Sequence, residues 1–255
     1  MNKNGFTLTE MSIVLIVIAG IMGAISTAEG VRTQYKIRSI INDFNYYSGA
    51  IRTFQAIYGY LPGDFKKAGL LWSLPATNNC PNSAQPAGCN GFGNRTISQM
   101  FGAGAIRCWQ HLALAGLIAG NYNCNGSACA AAPNGVPNTI PALKIPDVSM
   151  EFRNYQSLNS TVISIVIGGT NTNATNYGLP TQTGGTYVTA DGITPEFHLL
   201  IVKGIDSKID DGIANTGNIL GVGTCSYLYS SLAGNDYILS NPYADCYLVS
   251  KWLES

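Results

Sequence analysis

A chain of 255 residues holds one good-sized domain, or one domain with a long appendage, and two full enzymatic domains are not expected. Lys plus Arg and Asp plus Glu both number 14, so no net field of either sign steers nucleic acid or an acidic partner, and nucleic acid is not indicated. Charged residues are only 11% of the chain, against roughly 25% in ordinary soluble proteins; Gly, Asn, Thr and Tyr take their place, giving the composition of a secreted or assembled surface.

From Met11 to Ala28 runs MSIVLIVIAGIMGAISTA, without a single charge. As a helix this stretch is about 27 Å long, close to the roughly 30 Å of a bilayer hydrocarbon core. A conventional secretory signal places a basic region first, a shorter apolar run next and a small-residue cleavage site after it. Here the order is inverted: the polar leader MNKNG comes first, then Phe6-Thr-Leu-Thr-Glu10, and only then the apolar run. Cleavage after Gly5 would leave the hydrophobic helix on the mature chain.

Gly5, Phe6 and Glu10 ahead of an uninterrupted apolar helix resemble the processing motif of type IV prepilins, which type IV pilins share with type II secretion pseudopilins. The resemblance implies a membrane-embedded prepilin peptidase that cuts between Gly5 and Phe6 and methylates the new amine of Phe6. It also implies an inner-membrane assembly platform and a filament, either homo-oligomeric or co-assembled with other pilins.

Glu10 gives the motif its physical content. A carboxylate within a bilayer costs on the order of 2 to 3 kcal/mol even on lenient insertion scales, so it needs a partner. In the family that partner is the amine of Phe6 on a neighbouring subunit, which would set axial register as helices dock. The plainer alternative leaves Glu10 snorkelling or protonated at the interface. Arg32, Lys36 and Arg38 follow the span against Lys3 and the starting amine before it, and a count of positive charges would hold the C-terminal side in the cytoplasm. The specificity of the leader motif and the exported look of the Cys- and Asn-rich remainder outweigh that count.

Between Ile37 and Tyr58 apolar residues recur at three- and four-residue intervals, the pattern of a helix with one buried face, with Arg38, Asn42, Asp43 and Arg52 free to meet water. One helix over residues 6–58 would be about 80 Å long; two helices joined near Glu29-Gly30 are the alternative. Gly59 and Pro62 end the pattern. YGYLPGDF at residues 58–65 also resembles the turn that follows the long helix in many pilins and pseudopilins.

Residues 74–94 read as an exposed loop closed by a short disulfide between Cys80 and Cys89, and 98–119 as a second helix anchored by Trp109, Leu112, Leu114 and Leu117. His111 in that helix is expected to be packed or hydrogen-bonded rather than a ligand, and Cys108 to be the unpaired thiol, since a buried free Cys behaves as a small hydrophobe. A further loop, 121–141, carries Cys124 and Cys129. Strands are expected at Thr161–Ile167, Thr186–Thr189 and Phe197–Val202. Cys225 and Cys246 bracket the last segment, and joining them would contribute about 3 kcal/mol; a C-terminal disulfide loop is also common in pilins. Cysteines clustered in loops, with none among the first 79 residues, indicate an oxidising compartment.

Residues 205–218 concentrate Asp206, Asp210, Asp211, Asn215 and Asn218 around Gly212 and Gly217. Hard cations take six to eight oxygens at flexible distances, so this set is a candidate calcium site. The spacing lacks the closing Glu of an EF-hand. A loop of related position binds calcium in the major pseudopilins that the chain resembles; the alternative is a metal-free Asp-Gly turn.

No phosphate loop, paired CxxC or HExxH motif occurs, and the two histidines, His111 and His198, fall in no recognised motif. The expected fold is α+β: a leader over 1–5, a long N-terminal helix over 6–58 that spans the membrane in its first half and continues into the domain, and a globular pilin-like domain over 59–255. That domain packs the helix on a small antiparallel β-sheet, with Cys-bearing loop insertions and a second helix. The expected protein is non-catalytic. It is a single-pass bacterial inner-membrane precursor surrounded by lipid, and after assembly a periplasmic or cell-surface filament subunit, whether major pilin, minor pilin or secretion pseudopilin. A membrane-anchored periplasmic enzyme or binding module is the reading from another class.

Overall fold

The computed structural model describes residues 7–74, 80–83, 88–97, 103–122, 141, 143–145, 148–156, 161–169, 181–183, 186–188, 199–223, 236–238 and 246–254. Helix α1, Leu8–Tyr58, is one continuous helix of 51 residues, about 77 Å long, so no break occurs at Glu29-Gly30. Thr7 caps its start and Gly59, at φ 70°, closes its end by donating to Gln55 O at 2.9 Å. A left-handed residue costs little when it is glycine, which makes Gly59 a natural stop.

The two halves of α1 live in different surroundings. Ile37, Ile40, Phe44, Tyr47, Ile51 and Phe54 are buried at alternating steps of three and four, one stripe of a 3.6-residue helix. Asp43 lies within reach of that stripe and is itself buried rather than solvated as the sequence suggests. Lys144 compensates it, donating its backbone N–H to Asp43 Oδ2 at 3.2 Å and bringing Nζ to 3.6 Å from Oδ1.

After α1 come the short helix α2, Ala68–Trp72, and α3, Ala103–Leu114. Helix α3 stops earlier than its apolar pattern suggests. Leu117 N–H donates to Leu112 O and Gly116 N–H to Ala113 O, both at 2.9 Å, with Gly116 at φ 70°. That pair of bonds is a Schellman cap, which turns the chain away while satisfying the last carbonyls.

Among the described residues the strands are β1 (Val148–Gln156), β2 (Thr161–Gly169), β3 (Thr181–Thr183), β4 (Thr186–Val188), β5 (Ile219–Gly223) and β6 (Cys246–Glu254). The main sheet has four antiparallel strands in the order β1-β2-β6-β5, and β3 pairs with β4 in a separate ribbon. Met150 lies opposite Ile167 and Phe152 opposite Ile165, all buried in the main core. Neighbouring residues in β6 point to opposite faces: Leu248 joins the main core, while Tyr247 and Val249 pack with Val222 in a smaller cluster.

One expected strand is a helix. Leu199–Ile209 forms α4, and Phe197 and His198 lie outside the described residues. Leu199, Ile201, Val202 and Ile205 are buried, a helical set that becomes visible only when the β-branched start is read together with the Lys-Gly-Ile-Asp that follows. A Cβ at Gly204 would come within 2.5 Å of Ile37 Cδ1, so the glycine lets α4 lie close against α1. Helices α3 and α4 contact β1 and the β5–β6 pair respectively, and α1 packs mainly on these two helices. The long helix thus reaches the sheet chiefly through them rather than covering it alone.

Candidate functional site

Every large apolar residue from Leu8 to Met22 is exposed, reaching 86% at Leu8. Among the described residues α1 is the one helix long and apolar enough to cross a membrane. An exposed apolar surface of this extent on a single chain calls for lipid or another protein to cover it. Among the residues whose side chains are described, burial in the fold begins at Ile37.

At the tip of this rod, Thr7 and Glu10 form a capping box. Thr7 donates to Glu10 Oε2 through both its backbone N–H and its hydroxyl, each at 2.7 Å, and Glu10 N–H donates back to Thr7 Oγ1 at 3.3 Å. The Thr-x-x-Glu spacing carries this signal in the sequence, where the prepilin resemblance drew attention to the carboxylate alone. The cap satisfies one carboxylate oxygen and leaves the formal charge in place; Oε1 accepts no hydrogen bond among the described residues. Gly5 and Phe6 lie outside the described residues.

The second candidate is the loop from α4 into β5. Asp206, Asp210 and Asp211 each bring one carboxylate oxygen into a group whose members lie within 4.8 Å of one another. Asp206 is buried beneath the other two. Its Oδ2 accepts the Tyr237 hydroxyl at 2.8 Å and its Oδ1 the Gly212 N–H at 3.3 Å. Burial raises the Asp206 carboxyl to about 6 against these two bonds, and the neighbouring carboxylates of Asp211 and Asp210 push the same way. The Tyr237 hydroxyl is raised by its own burial and by Asp206.

Asp210 Oδ2 accepts the N–H groups of Asn218 at 2.5 Å and Ile219 at 2.9 Å, fixing the entry to β5. Asp211 accepts Ile213 N–H at 2.8 Å and the Thr216 hydroxyl at 2.5 Å, bonds that hold its carboxyl low. Asn218 ties to Asp210 through its backbone N–H, and Asn215 Oδ1 is buried in the same loop. The donor set fits a hard cation: three crowded carboxylates whose repulsion a cation relieves, with Asp210 Oδ1 accepting no hydrogen bond among the described residues. Tyr237 and Thr216 are participants the sequence reading missed, since neither sits in an acidic pattern.

Cys80 and Cys89 form a disulfide, and Cys108 is buried and free; burial raises its thiol well above the ordinary value. Cys124, Cys129 and Cys225 lie outside the described residues, and Cys246 opens β6. The disulfide loop is fastened to the YGYLPGDF turn through Asp64, which is buried. Its Oδ1 accepts the N–H groups of Gly93 at 2.7 Å and Asn94 at 3.2 Å, and its Oδ2 that of Arg95 at 2.8 Å.

Comparison of the chain with protein families, curated proteins and solved structures finds no match.

Proposed function

We propose that this protein is the precursor of a filament subunit of the type IV pilin-like class. The first half of α1 holds it in the membrane as a single-pass protein, a prepilin peptidase cuts between Gly5 and Phe6, and the freed helix then packs against copies of itself or related subunits. The observation that carries the reading is the division of α1: one rigid helix exposes all its large apolar residues up to Met22 and buries a stripe in the folded head from Ile37 onward. Such a helix transfers from lipid to a bundle of like helices without refolding, because neither surrounding needs new backbone hydrogen bonds.

Glu10 adds direction to the assembly. Its cap leaves a charge at the tip of the rod, which the methylated amine of Phe6 on an adjoining subunit would neutralise. No catalytic role is assigned. The test is intact-mass and N-terminal analysis of fibres sheared from the cell surface. An N-methylated chain starting at Phe6 is expected, and fibres built of chains starting at Met1 would overturn it.

The acidic loop favours a second reading within the same class, a type II secretion pseudopilin whose head is stabilised by calcium. Asp206, Asp210 and Asp211 would hold the ion. The chemistry it supplies is charge neutralisation that fixes the entry to β5. Calcium-dependent secretion without surface fibres would favour this reading over a pilus.

A further inference from the structure

Between the end of the apolar run at Ala28 and the first buried core residue, Ile37, lie eight residues of continuous helix, about 12 Å along the axis. A headgroup layer is roughly 5 to 7 Å thick on each side of the hydrocarbon, so this segment crosses it and ends about 5 Å beyond its outer edge, where the folded head begins. Val31, Arg32, Tyr35 and Lys36 lie in this segment, and Arg38 follows just past Ile37. At about 100° per residue they fall within an arc of roughly 160°, on the side away from Ile37, Ile40 and Phe44. Val31 is 70% and Tyr35 63% exposed, Arg32 and Arg38 are exposed, and Lys36 is half-buried. Among the described residues none of the three cations takes part in an ion pair.

We propose that Arg32, Lys36 and Arg38, with Tyr35, form a collar that binds the headgroups of anionic phospholipids where α1 leaves the bilayer. The inference rests on the membrane-resident state of the proposed precursor and goes beyond it by assigning the residues and the charge class of the lipid. Side chains on a helix lean toward its N-terminus, which here is toward the membrane. Arg32 therefore lies at phosphate level; Lys36, about 6 Å higher, snorkels back to it, and Arg38, about 9 Å higher, leans its charge toward the outer edge of the layer. Tyr35 has the amphipathic ring that favours the interface. Glu29, exposed and one turn before Arg32, opposes the collar with a single charge and leaves it a net two positive. The attraction is local, since screening limits it to about 8 Å at physiological salt, so Arg52, about 30 Å above Arg32 along the helix, takes no part.

The test is electron spin resonance of the full chain reconstituted in phosphatidylcholine vesicles doped with spin-labelled phosphatidylglycerol or spin-labelled phosphatidylcholine. The motionally restricted fraction reports lipid held at the protein surface. Phosphatidylglycerol is expected to associate at least about fivefold more strongly than phosphatidylcholine. That preference should collapse toward unity in half-molar salt and in R32Q/K36Q/R38Q, and persist in R52Q. Equal association of the two lipids with the wild-type chain, or a preference that survives the triple substitution, overturns the collar. Absence of any restricted lipid would instead refute the membrane-spanning reading beneath it, and the collar with it.

Discussion

His111 Nδ1 accepts a hydrogen bond from the backbone N–H of Gly63 at 2.9 Å, joining helix α3 to the turn that ends α1. Because Nδ1 accepts, the ring proton sits on Nε2, which donates to Cys89 O at 2.8 Å. One neutral imidazole thus fastens the end of the long helix, the disulfide loop and α3 together. Burial, reinforced by the Arg107 charge and opposed by the bond to Cys89, holds the ring down to about 3.

The pH dependence follows from the sign of that shift. Above about 6.5, the ordinary value for histidine, the ring is neutral in both folded and unfolded chains and its contribution is complete. As pH falls from there toward 3, the unfolded chain takes up the proton and the folded one does not, so stability declines. Between pH 7 and 5 the loss from this residue is about 2 kcal/mol. His111→Gln should be less stable at pH 7, through loss of the paired geometry, yet show a flatter decline over that interval. Denaturant midpoints of the full chain in detergent at several pH values measure the difference, and parallel profiles would remove His111 as the titrating group.

Gly91 is where the disulfide loop meets the YGYLPGDF turn. Its N–H donates to Phe65 O at 2.9 Å, and a Cβ there would overlap the backbone of Asp64. Since backbone cannot rotate aside as a flexible side chain can, Gly91→Ala should cost about 2 to 3 kcal/mol. Gly49→Ala is the control, because its added methyl meets open space and replaces a helical glycine; it should raise stability by about 0.5 to 1 kcal/mol. Thermal melts of the two variants should therefore move in opposite directions.

How far these features were legible depended on how local their causes are. The continuous helix, its cap at Gly59, strand β2 and the Cys80–Cys89 loop rest on spacing and turn chemistry within a few residues, and all are present. The strand expected at Phe197–Val202 failed because its β-branched start reflects burial, and the partner that α4 packs closely against, Ile37, lies 167 positions before Gly204 in the chain. Asp43 and Asp64 were equally opaque. Each is an acidic residue that is buried, and each is held by groups distant in sequence, Lys144 for one and the amides of residues 93–95 for the other. The acidic loop was visible as composition, but the Tyr237 hydroxyl under Asp206 belongs to a segment 31 residues away.

Cation binding at that loop has a thermal signature. With calcium at a hundredfold excess over its dissociation constant, the folded head should gain about 2.7 kcal/mol, a rise in Tm of about 5 to 10 °C for a domain of this size. Asp210→Asn with Asp211→Asn should abolish the rise. The variant should also melt somewhat lower in chelator, because both carboxylates accept backbone N–H groups on their own account. A wild-type Tm indifferent to calcium would reduce the loop to a hydrogen-bonded turn.

The capping box offers a way to separate two roles of Glu10 that a single substitution confounds. Glu10→Val removes both the cap and the charge, whereas Thr7→Val removes the hydroxyl of the cap and keeps the carboxylate. Losing an N-cap costs about 1 kcal/mol, spread over a 51-residue helix whose far half is locked in the folded head, so neither variant should leave the membrane. If the carboxylate acts by pairing with the amine of an adjoining subunit, Thr7→Val should assemble near wild-type levels and Glu10→Val should lose most of its fibre. Fibre yield and membrane content measured side by side decide the matter. Equal losses in the two variants would mean that Glu10 serves assembly only by finishing its own helix.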